Sequence, residues 1–496
     1  MPAIGRQSTK LTFQSPSGLR SMWRATGLAL RVLAWRVLTY QMTHPRLLRI
    51  AFGVLRRIRP IFIARKTVLA TRHEDVKAVL CRDADFMSAE YTQARMLGGS
   101  FIINIDWPDQ HRREESKIQE AFGCPGRDPF KRFLEHDEAR IRAIVSERCN
   151  SVIADARRAG GELDVALGLA RSVTQAVVER HYGVPAPDGQ SEVLAEWLQA
   201  LASAIIALPP SGSRWRHDAE DAADRLRNHV MAVVRNRSET IRAEGADEGP
   251  QAQDDILTRM IKLKPREGVG TAALSGSSAN GSDWVDDDWI CRMIVGLMVF
   301  GTATVVRTTT DTIDELLKRP RALADAQAAA RDVRLALENL EKTQENAASR
   351  QAREAAMRNL ENTRTALLKY VYEALRFRPM LPVLARYCQR VTVIARNRLR
   401  GRAVRAGARV IVPPLAAMFD ARVFRRPGQF RVDRPRENYL LFSAGQHECI
   451  AQWVFDIELE EIVGAVLRLD RVRRAPGMRG HIGYTAAAAT RLYIKV

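Results

Sequence analysis

The chain has 496 residues, 46% of them hydrophobic, enough to bury a large core, and its 77 Lys and Arg against 57 Asp and Glu give a net charge of +20. Such a balance suits acidic proteins, anionic lipid surfaces or nucleic acid as partners, but no stretch reads as a nucleic-acid motif and no nucleic acid is expected. Six cysteines (81, 124, 149, 291, 388 and 449) are scattered without a CxxC pair or zinc spacing, and no uninterrupted apolar run is long enough to span a bilayer. The first twenty residues are polar and lack an apolar core with a cleavage site, so a reduced, cytoplasmic protein is expected.

Taken in order, residues 1–60 read as a basic, amphipathic N-terminal arm. Leu28, Leu30, Val32, Leu33, Trp35 and Leu38, then Leu47, Leu48, Ile50, Phe52 and Leu55, alternate with arginines over 21–59. That pattern suits either peripheral contact with an anionic membrane or a helical layer packed on the body. Residues 61–70 look strand-like and 73–81 helical. Pro108 suits the first position of a helix, which puts His111 in its first turn. Several amphipathic helices follow over 130–245, broken at 184–188 and 209–213, and a Gly/Ser-rich connection covers 268–281.

The spacing predicts a long helix over 284–318, with Asp286, Asp287 and Asp288 at its positive end and Pro320 beyond it. Its middle is apolar except for small and hydroxyl residues, among them Gly301, Thr302 and Thr304. Small residues let another group approach the backbone, and a threonine there offers a positioned hydroxyl. Residues 319–366 are rich in Ala, Arg, Glu and Gln and read as a helical insertion, a hairpin with a weak point at 346–349. Glu373 and Arg376 stand at i and i+3 in apolar surroundings, and strand-like alternation returns over 391–413, with a turn at 397–401. The run Phe442-Ser443-Ala444-Gly445-Gln446-His447-Glu448-Cys449 then leads into another helical pattern. A cysteine at a helix start can be held as a thiolate by backbone N–H groups and the helix dipole. On its own, a lone cysteine is more often an inert, buried thiol.

Three features occur together and in order: Gly301 and Thr304 in a long helix, Glu373-x-x-Arg376, and Phe442-x-x-Gly445-x-His447-x-Cys449-x-Ala451. Jointly they resemble the cytochrome P450 family over residues 61–496. The resemblance implies a mainly α fold with small β-sheets, and haem b (iron protoporphyrin) between the long distal helix and the cysteine loop. Cys449 would be the axial iron ligand; His447, His111 and Arg386 match positions that contact haem propionates. Glu373, Arg376 and Arg434, with Phe430, match a fold-stabilising network behind the haem. Gly301 and Thr304 would face bound oxygen, and Phe300 and Val383 would line an apolar substrate pocket.

Five positions depart from the family pattern. Ala303 stands where an acid often precedes the threonine, Val305 where a second hydroxyl residue is usual, Glu115 where an arginine often follows the histidine, and Ser443 and Ala451 where glycines are common. The resemblance implies a monooxygenase that inserts one oxygen atom of O2 into an apolar, lipid-like substrate. No flavin or iron–sulfur segment is evident, so electrons would come from separate partners such as a ferredoxin and its reductase. Ala303 keeps a second reading open: a hydroperoxide isomerase or peroxygenase needing no external reductant. A haem-binding sensor is the non-enzymatic alternative.

Overall fold

The computed structural model describes residues 17–88, 96–122, 135–244, 254–264, 284–345, 349–395, 401–486 and 488–496. The connection at 268–281, most of the turn at 397–401 and residues 346–348 lie outside the described residues. The architecture rests on helices α1 (Ser17–Thr43), α2 (Arg46–Ile58), α3 (His73–Leu80), α4 (Pro108–Ala121), α5 (Glu135–Arg158) and α6 (Ser191–Ala207). They continue with α7 (Arg214–Glu244), α8 (Asp287–Leu317), α9 (Pro320–Glu345), α10 (Arg350–Phe377) and α11 (Gln452–Leu467).

Helix α8 is central because it has almost no polar face to turn outward. Asp286 caps it by accepting from the Trp289 N–H at 2.7 Å. By length and hydropathy it could cross a bilayer, but 67% of its apolar window is buried inside the protein, so it is a core helix. Around it pack α6, α7, α10 and α11, with α5 laid on α11. Helices α9 and α10 form a hairpin. Ala326, Ala330, Leu360 and Leu367 reach the core, whereas Leu335 and Met357 are exposed. Ser349 caps α10, which runs unbroken into Glu373 and Arg376.

The strand-like stretch 61–70 is a hairpin, β1 (Ile61–Ala64) and β2 (Thr67–Ala70), turned at Arg65 with φ 52°. With β3 (Phe86–Met87), β4 (Leu384–Cys388) and β5 (Arg409–Val412) it builds a sheet in the order β1-β2-β5-β4-β3. Only the β2–β5 pair is parallel. Val68, Val76, Leu80, Phe86 and Val410 form a second core under this sheet. The cysteine loop joins the two cores. Leu440 and Ala444 are anchored in the sheet core, while Phe442 and Ile450 pack against the helical one.

Candidate active site

Behind the cysteine loop, Glu373 and Arg376 are completely buried and pair at 2.7 Å and 2.9 Å. Glu373 also accepts from the Arg431 N–H and from Tyr439 Oη, both at 2.9 Å. Arg376 donates to the Met418 and Gln429 carbonyls at 3.1 Å. Arg434 Nε lies 3.4 Å from Glu373 and its guanidinium binds the Arg425, Arg426 and Gln429 carbonyls. Phe430 stacks on Phe377. A buried pair so fully satisfied fixes the path of 425–439, and removing one partner would leave an uncompensated charge.

The loop itself is set by two left-handed residues, Ser443 at φ 69° and Gly445 at φ 79°. Gly445 has no substitute, because a Cβ there would stand 2.4 Å from the Leu80 carbonyl oxygen. Ser443 adopts the same region with a side chain, and its buried hydroxyl has no hydrogen-bond partner. The Cys449 N–H closes the loop on the Phe442 carbonyl at 3.0 Å. Cys449 is accessible to solvent although protein surrounds it, so it faces an internal opening. Burial pushes its thiol up to about 11; a backbone N–H at Ala451 lowers it, and Asp456 and Glu448 raise it further. Desolvation outweighs that local N–H, and iron bound at this sulfur would take the proton's place and hold it as a thiolate.

Two of the predicted edge contacts are brought together. The His111 and His447 rings meet edge to face at 5.3 Å, both buried. His447 Nε2 is 3.2 Å from Asp106 Oδ1, and that carboxylate also accepts from the Ser88 N–H at 2.6 Å. Burial tends to raise the Asp106 carboxyl, but the His447 and Ser88 hydrogen bonds prevail and hold it below its ordinary range. His111 Nδ1 stands 3.5 Å from Glu115, too poorly placed for a hydrogen bond, and His447 Nδ1 has no partner. Arg386 is buried on β4, one residue before Tyr387, which pairs with Met87 of β3. Asp106 was not among the residues singled out in the sequence, because only folding brings its carboxylate to His447.

On α8, residues 293–299 and 305–314 are buried, but Phe300, Gly301, Thr302, Ala303 and Thr304 are partly exposed. A core helix with one open turn borders a space inside the protein. The Thr304 hydroxyl donates back to the Phe300 carbonyl and lies 3.1 Å from the Gly301 carbonyl, leaving its lone pairs free to accept. Phe300 stacks on Phe101 at 5.6 Å, and Gly296 is what admits that ring, since a Cβ there would be 2.4 Å from it. Val383, partly buried, packs with Phe52 of α2 and Leu415. Two further residues were missed. Burial pushes Glu458 on α11 up to about 8. Tyr182, raised by burial and then by Glu458 and Cys449, holds its Oη 3.7 Å from where a Gly301 Cβ would stand.

These residues fit a haem. Cys449 offers sulfur to an internal opening, α8 leaves a turn uncovered, and unpaired imidazole nitrogens at His111 and His447 await an anionic edge such as a propionate.

Comparison with known proteins agrees. Among curated proteins, linoleate diol synthase of Gaeumannomyces graminis is 38% identical over 76 residues, 15% of this chain and 6% of that protein. A bifunctional dioxygenase–epoxy alcohol synthase of Fusarium oxysporum is 32% identical over 131 residues, 26% of this chain and 10% of that protein. The chain thus matches only a small part of these relatives' length. The crystal structure of P450BioI in complex with hexadec-9Z-enoic acid ligated acyl carrier protein aligns over 92% of this chain and 99% of that one. Its TM-score is 0.65 and its identity 17%, a likeness of fold. The family model described as Cytochrome P450 matches residues 188–477, a span that holds α8, the Glu373–Arg376 pair and Cys449. More than half of the chain lies within that match, and it belongs to the cytochrome P450 family.

Proposed function

We propose that the protein is a haem-thiolate monooxygenase that inserts one oxygen atom of O2 into an apolar substrate, with electrons from a separate donor such as a ferredoxin and its reductase. The observation that carries this reading is the pairing of an accessible but enclosed Cys449 with one open turn on an otherwise buried α8. Haem b supplies O2 binding and O–O cleavage, which a thiolate ligand favours. The chain's own residues do the rest. Cys449 holds the iron, and His111, His447 and Arg386 take the propionates. Glu373, Arg376 and Arg434 keep the loop in place, Gly301 leaves room, and the Thr304 hydroxyl orients the oxygen side.

With Ala303 in place of an acid, protons need another source. A carboxylate on the substrate would supply them, with the Tyr182 hydroxyl 3.7 Å from where a Gly301 Cβ would stand. In this reading residues 1–60 form an arm, 61–496 the haem domain, and 319–366 a helical insertion. The protein works in the cytoplasm, peripheral to the membrane through 21–59. A fatty-acyl substrate is favoured by the linoleate named in the first curated relative and by Phe101 and Phe300 at the open turn.

Ala303 leaves a second reading: isomerisation of a lipid hydroperoxide without reductant. Purified protein given linoleate, NAD(P)H, ferredoxin, reductase and O2 should form a product with one added oxygen. Reductant-independent turnover of linoleate hydroperoxide, with no reaction of linoleate itself, would replace the first reading by the second.

A further inference from the structure

Helices α1 and α2 are amphipathic the wrong way round for a water-facing layer. On α2 the inward face carries Arg49, stacked over the Phe377 and Phe419 rings at 5.5 Å and 5.0 Å, and Arg56, which binds the Ala416 carbonyl. Its outward face carries Leu47, Ile50, Val54 and Ile58, at 63%, 65%, 48% and 72% exposure. On α1 the inward residues are Trp35, Thr39 and Thr43, while Leu30, Leu33, Val37 and Tyr40 are exposed at helical spacing. Ile63 on β1 extends the outward face. More than half of the exposed large apolar side chains among the described residues fall between Leu30 and Ile63.

This is not a loose arm. Trp35 Nε1 donates to the Ala207 carbonyl at 2.6 Å, and Arg307 of α8 donates to the Met42 carbonyl at 3.0 Å. The apolar face is therefore fixed before anything covers it, and binding need not order it. Arg31, Arg46, Arg57, Arg59, Arg65 and Lys66 are exposed around it, and no Asp or Glu precedes Glu74 in the chain. A second copy would set this basic face against itself. An anionic lipid surface complements both its charge and its apolarity. Among the described residues only α8 passes for a bilayer-crossing helix, so α1 and α2 would lie on the surface.

We propose that the outward face of α1, α2 and β1 is a preformed seat for an anionic bilayer, an inference that rests on the peripheral contact assigned to 21–59. The test is co-sedimentation of the full, haem-loaded chain with two vesicle preparations. One is phosphatidylcholine alone, and the other is phosphatidylcholine with an equal share of phosphatidylglycerol. The seat predicts binding to the anionic vesicles, release by salt, and partitioning weakened about fivefold for each of Arg46→Gln and Arg57→Gln. Ile50→Gln and Val54→Gln, both on the exposed face, should weaken it further without changing haem content. Failure of the loaded chain to bind, or equal binding to both vesicles, would overturn it. So would a lipid-free dimer that Ile50→Gln dissolves. Haem content is read separately, so loss of haem with retained vesicle binding would count against the enzyme and not against the seat.

Discussion

The two sides of the site are built to different tolerances. On the cysteine side, Glu373 takes five donors from four residues, Gly445 has no room for a Cβ beside the Leu80 carbonyl, and Cys449 is tied back to Phe442. On the α8 side, one open turn offers Gly301, Ala303 and a Thr304 hydroxyl folded onto its own helix. The contrast teaches where change is tolerated. A side that would hold a metal through a single sulfur needs a fixed loop, whereas a side that would receive substrate needs room.

That contrast can be broken experimentally, most severely behind the loop. Glu373→Gln should cost about 3–5 kcal/mol by leaving Arg376 buried without its counter-charge, seen as a large fall in melting temperature and loss of bound haem. Gly445→Ala should cost about 1–3 kcal/mol through its left-handed backbone and the clash with Leu80, with haem affinity falling alongside in a titration.

Glu458→Gln, on the helix that follows the cysteine loop, is read through pH. The folded carboxyl titrates near 8 against an ordinary value of 4.5. The native state therefore binds more protons than the unfolded chain in that window, and wild-type stability should fall as pH rises through it, by at most about 1.4 kcal/mol per pH unit. The variant should lose that contribution to the slope, as followed by thermal unfolding at several pH values. Ser443→Gly is the smallest change and has the opposite sign. It relieves a left-handed serine with an unpartnered hydroxyl, and chemical denaturation should show a gain of about 0.5–1 kcal/mol.

What was legible in the sequence followed the same division. Gly445, Cys449, Glu373 and Arg376 stand close together along the chain in short motifs, and the fold used them locally. α8 was legible because its middle, 293–306, is apolar apart from small and hydroxyl residues. Asp106 beside His447, Tyr182 beside Gly301 and Gly296 under Phe101 were not, since each is a contact between segments far apart in sequence. The thiolate expected from sequence needs more than the local N–H: burial of Cys449, a property of the folded surroundings, opposes it, and bound iron would supply the charge that holds it. In the N-terminal arm one face is packed on the body and the other is exposed and apolar.

The central claim is that Cys449 is the iron ligand. The most direct measurement is the absorption spectrum of the reduced, CO-bound protein, wild type beside Cys449→Ser. A thiolate-bound haem gives a strongly red-shifted band, which the wild type should show and the variant should lose while remaining folded. A variant that keeps the band, or a haem-loaded wild type that never shows it, would contradict the account.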